Sequence, residues 1–161
     1  MREIKFRAKR IDNGEWVEGG ILHQTDYYGD KVDKYFIIDG TYTVDYDIGE
    51  AFEVDENTVC QYIGLKDKNG KEIYEGDIVK TYNEKGQECS IKQILWDEYR
   101  WFSKGIKSLM QYVDKAYNTS FGKYNASNCE VIGNIFDNPE LLDADKQASK
   151  YADNDVMKPA T

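Results

Sequence analysis

Histidine occurs once in this chain, proline twice and cysteine three times, and nowhere is there a long apolar run. Each scarcity closes a class of function. Any acid–base or metal mechanism that needs an imidazole depends on His23 alone, so a zinc site with two or more histidines is excluded within one chain. His23 reads as a strand-end residue. Cys60, Cys89 and Cys129 are odd in number, widely spaced and lack a Cys-x-x-Cys pair, which supports neither a disulfide framework nor a thiolate metal site. They read as reduced, mostly buried thiols. No segment approaches the ~18 apolar residues that span a bilayer, and the opening MREIKFRAKR alternates charge with apolar residues where a signal peptide would have an apolar core. The expectation is a cytosolic protein with no membrane partner, in which the sequons at Asn118 and Asn125 are idle. A Gly-x-Ser-x-Gly elbow, a phosphate-cradling loop and a dinucleotide fingerprint are all missing. No catalytic, cofactor or metal residue is assigned.

What is present points to β-structure. Of 161 residues, 40% are hydrophobic and 32% charged, enough apolar surface for one globular domain with two sub-parts. Aromatics make up 14%, with thirteen Tyr, and such side chains suit a pleated, half-buried surface. The net charge of -9 is uneven. Residues 1–10 carry five bases and one acid, whereas 26–57 carry ten acids against Lys31 and Lys34. An acidic field disfavours non-specific nucleic-acid binding, and the acids read as solvation of edge strands and loops.

Apolar residues at every second position from Ile4 to Lys9 predict a half-buried strand whose basic side faces water. Asn13-Gly14 supplies a turn, so residues 3–23 form a hairpin, with a bulge or bend at Gly19-Gly20. A second hairpin pairs Tyr35–Ile38 with Tyr42–Ile48. Further strands are expected at Thr58–Gly64, Ile73–Tyr74, Ile78–Tyr82, Ser90–Trp96 and Tyr99–Ser103, separated by Asn69-Gly70, Glu75-Gly76-Asp77, Lys85-Gly86 and Asp97-Glu98. Ile106, Leu109, Met110, Val113 and Tyr117 have helical spacing. Cys129–Phe136 is a strand, Asp137-Asn138-Pro139 a breaker, and Glu140–Tyr151 a helix with an acidic first turn before a fraying tail.

Three stretches carry a resemblance: Arg2-Glu3-Ile4-Lys5-Phe6-Arg7-Ala8, the glycine-punctuated segment from Thr58 to Val79, and Glu130-Val131-Ile132-Gly133-Asn134-Ile135-Phe136-Asp137-Asn138-Pro139-Glu140-Leu141-Leu142. In this order they resemble the YopX family of phage and prophage proteins. The chain departs from it at Cys60 and Ile63, where relatives commonly show glycine and threonine, and at Lys9-Arg10, where relatives often have Trp-Asp. The resemblance implies a mostly-β fold, a mobile-element origin and a bacterial cytosolic setting; it brings no established activity. The expected architecture is mainly β, a β-rich α+β chain. A single YopX-like domain over 1–142 would comprise N-terminal hairpins over 1–57 and a small SH3-like barrel over 58–142, with a short C-terminal helix and a polar tail over 143–161.

Candidate chemistry is thin. Glu72, Glu75 and Asp77 are three carboxylates within six residues, a pattern found at divalent-ion sites, but a Gly-Asp entering a strand is more simply a turn. There Gly76 takes an angle barred to other residues, and Asp77 bonds nearby backbone amides. Asp45/Asp47, Asp143/Asp145 and Asp153/Asp155 lack the glycine and distal glutamate of a calcium loop. Trp96, Tyr99, Arg100, Trp101, Phe102, Lys104 and Lys107 mix rings with bases, as single-stranded nucleic-acid binders do; the structural alternative makes Trp96, Trp101 and Phe102 core. The functional expectation is a non-enzymatic phage accessory protein acting through protein contacts with host or phage partners, as a homo-oligomer. The alternatives are a single-stranded nucleic-acid binder and an acidic decoy for a host DNA-binding protein.

Overall fold

The structure is a computed structural model that describes residues 3–25, 33–39, 50–110 and 118–143. Among these residues the fold is mainly β, with eleven strands in two antiparallel sheets and one short α-helix. The chain divides into two compact units, Met1–Leu65 with Glu72–Glu75, and Lys66–Lys71 with Gly76–Thr161.

The first unit holds a six-stranded sheet. Its strands are β1 (Phe6–Lys9), β2 (Trp16–Thr25), β3 (Asp33–Asp39), β4 (Glu50–Val54), β5 (Cys60–Lys66) and β6 (Glu72–Tyr74), ordered β4-β3-β2-β1-β5-β6. The expected N-terminal hairpin is β1 and β2, with Ala8 opposite Val17. Alternation sends Phe6, Ala8, Val17, Ile21, Tyr35, Ile37 and Val54 to one face, where Ala8, Ile37 and Val54 are buried and the others pack against them. A single bridge, Arg10 to Val54, ties the chain just past β1 to the end of β4. Asp55 N donates to Lys9 O at 2.9 Å and Ile11 N to Glu53 O at 3.0 Å. One bridge is not a ladder, and the sheet stays open.

Three expectations change here. Of the bulge or bend expected at Gly19-Gly20, the bulge is absent, since β2 keeps one register against β1 up to Gly19 and another, unbroken, against β3 from Gly20. Instead the backbone of β3 comes so close that a Cβ on Gly19 would lie 2.0 Å from the carbonyl oxygen of Ile38. Besides β2, the partner of β3 is Glu50–Val54, with Ile37 opposite Phe52; the expected strand at Tyr42–Ile48 lies outside the described residues. Finally, the basic side of β1 does not simply face water. The Lys5 ammonium sits 5.2 Å from the ring centre of Tyr62, the Arg7 guanidinium 4.8 Å from Trp16 and 4.5 Å from Tyr74, and the Lys9 ammonium 5.5 Å from Trp16. Each such contact contributes about 0.5–2 kcal/mol, so the cations of β1 form an inner layer with the rings. Burial alone would lower the pKa of Lys5, but the hydrogen bond and charge of Glu72 outweigh it and hold it above the ordinary lysine value. Burial pushes the Tyr74 phenol far up, with the charge of Glu18 and the Glu72 hydrogen bond adding to it.

The second unit holds an open five-stranded sheet: β7 (Asp77–Tyr82), β8 (Glu88–Asp97), β9 (Arg100–Ser108), β10 (Thr119–Ser120) and β11 (Cys129–Asn134), ordered β10-β9-β8-β7-β11. The small SH3-like barrel expected over 58–142 is not confirmed, because neither sheet closes. Strands β5 and β6 of that segment belong to the first sheet, and β7 to β11 make the second. The helix expected from Ile106 begins as strand instead. Ile91 faces Lys107 while Lys92 faces Gly105, leaving Ile106 as an extra residue. A bulge of this kind breaks the period of two, and the resulting spacing of Ile106, Leu109 and Met110 imitates a helix. Residues 111–117, with Val113 and Tyr117, lie outside the described set. A short helix α1 (Lys123–Ser127) precedes β11; five mostly polar residues carry no apolar period to announce it. Pro139–Leu142 is a 3-10 turn, and the remainder of the C-terminal helix expected from Glu140, with the tail, lies beyond the described residues.

Candidate functional site

The residues singled out for catalysis do not assemble. His23 lies near the end of β2, stacked on Tyr35 with ring centres 4.3 Å apart and hydrogen-bonded through Nε2 to Asp33. Asp77 is 1% exposed and engaged within the fold, at the start of β7 opposite Asn134. Gly76 before it has φ 78, the left-handed angle that the turn demands of a glycine. Among the described residues no group of three or more His, Cys, Asp and Glu side chains is placed to hold a metal ion, and Glu72, Glu75 and Asp77 make no such site. Asp143 lies in the described chain; Asp45, Asp47, Asp145, Asp153 and Asp155 do not.

The family-like segments serve architecture. Asp67 is 6% exposed; its Oδ1 accepts the backbone N–H of Asn69 at 2.8 Å and of Lys71 at 3.0 Å, and its Oδ2 that of Val131 at 3.0 Å. One carboxylate thus closes the Asn69-Gly70 turn and fastens it to β11. Asn134 Oδ1 accepts the N–H groups of Phe136 and Asp137, both at 2.9 Å, which shapes the turn after β11. The sequence signal for Asp67 is its place two residues before Asn69, the pattern of an Asx turn; its long-range bond to Val131 has no local signal.

Burial sorts the thiols. Cys60 and Cys129 are buried, and Cys89 is partly open. Burial, with the charges of Asp67 and Asp77 beside it, pushes the Cys129 thiol up to about 12, so it stays protonated and unreactive. A water-soluble disulfide reagent is expected to modify Cys89 in the native protein and all three cysteines only after unfolding. Mass mapping of the adducts checks this, and rapid native labelling of Cys129 would contradict the burial.

A cleft of about 500 Å³ opens in the first unit, lined by Lys9, Arg10, Lys34, Tyr35, Glu53 and Asp55 among others. Its charges are largely occupied with one another. Lys34 pairs with Glu53 at 2.9 Å, Arg10 pairs with Asp12 and lies 4.1 Å from the ring centre of Phe52, and Asp55 accepts from Asn57. The cleft offers shape without a poised nucleophile.

The aromatic and basic cluster falls on the β8–β9 hairpin. Register places Trp96 opposite Trp101 and Leu95 opposite Phe102, so alternation puts the two tryptophans on one face and Arg100, Phe102 and Lys104 on the other. Trp101 is buried at 9% exposed, while Trp96 is 46% and Tyr99, in the connecting turn, 72% exposed. The tryptophan rings meet edge to face at 4.8 Å. Arg100 reaches Ser120 at 3.1 Å and Asp97 at 3.4 Å, with Tyr99 5.7 Å away. Of the three residues read as core, only Trp101 is buried.

No helix among the described residues is long and apolar enough to cross a membrane. No curated protein matches the chain. The crystal structure of protein EF1440 from Enterococcus faecalis is similar at 29% identity, over 89% of this chain and 100% of that one, with a TM-score of 0.53. The family model described as YopX protein matches residues 5–143. This span takes in the Asp67 turn and the Asn134 turn, and the chain belongs to the YopX family.

Proposed function

We propose that this protein is a non-enzymatic interaction module of a phage or prophage, working in the bacterial cytosol and self-associating through the tip of the β8–β9 hairpin. The exposure of Trp96 and Tyr99 at the tip of one hairpin, the first in edge contact with Trp101 and the second near Arg100, carries this reading. Tryptophan, tyrosine and arginine dominate the energetics of protein interfaces, and two large rings held in water by a rigid hairpin are already placed for docking. The acids Asp97 and Glu98 stand at the same tip, and the bases of β9 occupy the face opposite the tryptophans. That split favours a protein partner over a nucleic-acid strand, which needs rings and bases along one track.

Sedimentation velocity across micromolar concentrations tests it. The wild-type protein is expected to gain mass with concentration, and the Trp96→Ala/Tyr99→Ala double variant to stay monomeric with an unchanged far-UV spectrum. A wild-type protein that remains strictly monomeric would remove self-association. Association unaffected by the double variant would move it elsewhere on the surface.

A further inference from the structure

One face of the second sheet carries a row of polar residues. Register and alternation bring Thr81, Ser90, Lys92, Ser103, Gly105 and Thr119 to the face that also bears the buried Val79, Ile94 and Cys129. Lys92 lies on β8, yet its ammonium donates to Thr119 Oγ1 on β10 at 3.0 Å. The two strands are separated by β9, a span of about 10 Å at the usual strand spacing. The lysine crosses that strand where its cross-strand neighbour is Gly105, which has no side chain to obstruct it.

The hydroxyl protons along this path can all be placed. Lys92 donates to Thr119 Oγ1; Thr119 Oγ1 lies 3.0 Å from Ser103 Oγ and donates to it; Ser103 Oγ donates in turn to the Thr119 carbonyl at 3.3 Å. Ser103 is 1% exposed, whereas Thr119 opens to solvent. The chain of bonds thereby uses one of three ammonium N–H groups and orients the lysine rigidly. Among the described residues no carboxylate forms an ion pair with Lys92, in contrast to Lys5, Lys34, Lys68 and Lys80. Burial presses its pKa down, and the charge of the nearby Cys89 thiol opposes this only in part. Among the described residues, then, this half-buried ammonium has two N–H groups to spare and no carboxylate paired with it.

We propose that Lys92, with Thr119 at the mouth, is a binding site for a phosphate-type oxyanion. Lysine acts as a point charge for phosphate, and oxyanion acceptors on its two spare N–H groups complete its hydrogen bonding with charge-assisted bonds. The site is distinct from the hairpin tip proposed for association.

Titration with inorganic phosphate in a chloride buffer, followed by amide NMR, tests the site. Saturable shifts are expected at Ser103, Gly105 and Thr119, with a matching rise in thermal midpoint. Lys92→Met is expected to weaken binding about tenfold or more, and Lys92→Arg to retain it. Shifts that do not saturate, or that leave these three residues unmoved, overturn the proposal, as does undiminished binding by Lys92→Met. Should that variant not fold, the location of the wild-type shifts still decides. A parallel titration with a single-stranded oligonucleotide separates the sources. Shifts at the same residues with both ligands place the phosphate on a nucleic-acid backbone, shifts with inorganic phosphate alone place it on a small ligand, and either supports the site.

Discussion

Replacing Gly19 by alanine is expected to cost about 3 kcal/mol or more of stability, at the upper end of what overpacking does. The new methyl would sit 2.0 Å from the Ile38 carbonyl oxygen and 2.8 Å from its carbon. These are backbone atoms in a strand paired on both sides, so no side-chain rotation can relieve the overlap. Either β2 and β3 part, or the sheet loses the packing of Ile37 against Ala8 and Val54. Gly20 is the internal control: a Cβ there meets nothing within 4 Å, so Gly20→Ala should change stability by less than ~1 kcal/mol, since its backbone angle is not one that excludes alanine. Urea unfolding of the two variants measures the contrast. Equal midpoints would mean that the close approach of β3 is not present in solution.

Asp67→Ala should be comparably damaging, by about 3 kcal/mol or more, because it leaves three backbone N–H groups without their acceptor in a site where Asp67 itself is buried. A buried donor left unsatisfied costs about 1–3 kcal/mol. Asp67→Asn separates the contributions. A carboxamide keeps one accepting oxygen, so it can hold the Asn69 and Lys71 amides only by presenting its own NH2 group to Val131 N. The expected order of stability is wild type, then asparagine, then alanine. Hydrogen exchange at the Val131 amide should accelerate in both variants. Slow exchange there in Asp67→Asn would show that the long-range bond to β11 is dispensable.

What could be read from the sequence was local. The Asn69-Gly70 and Lys85-Gly86 turns and the alternation of Phe6 and Ala8 each depend on residues within a few positions and stand where expected, and the strand expected over Cys129–Phe136 starts at Cys129 but ends at Asn134, where the turn begins. Long-range pairing misled. Strand β4 was obscured because only Phe52 and Val54 alternate inward, among Glu50, Ala51 and Glu53. The bulge at Ile106 counterfeited a helical period, since one surplus residue in a strand shifts the apolar spacing from two towards three. Barrel closure could not be judged from turns at all, because the same turns serve open and closed sheets. At the candidate sites, the sequence identified Trp96, Tyr99 and Arg100 as a cluster but could not divide them between faces without the register of β8 on β9. Lys92 and Thr119 are 27 positions apart, and only the passage across Gly105 relates them.

The path of the chain bears on how such a protein can be inherited. It leaves the first unit after Leu65, returns for Glu72–Glu75 and leaves again at Gly76. The excursion contains Asp67, whose bond to Val131 belongs to the second unit, and the return supplies β6, whose Tyr74 underlies Arg7 in the first. No one breakpoint in the gene therefore separates the two units intact. A recombination junction before Lys66 deprives the first sheet of its edge strand, and one after Glu75 deprives the second of its anchoring carboxylate. Any exchange of gene segments that keeps both units whole must therefore carry them together.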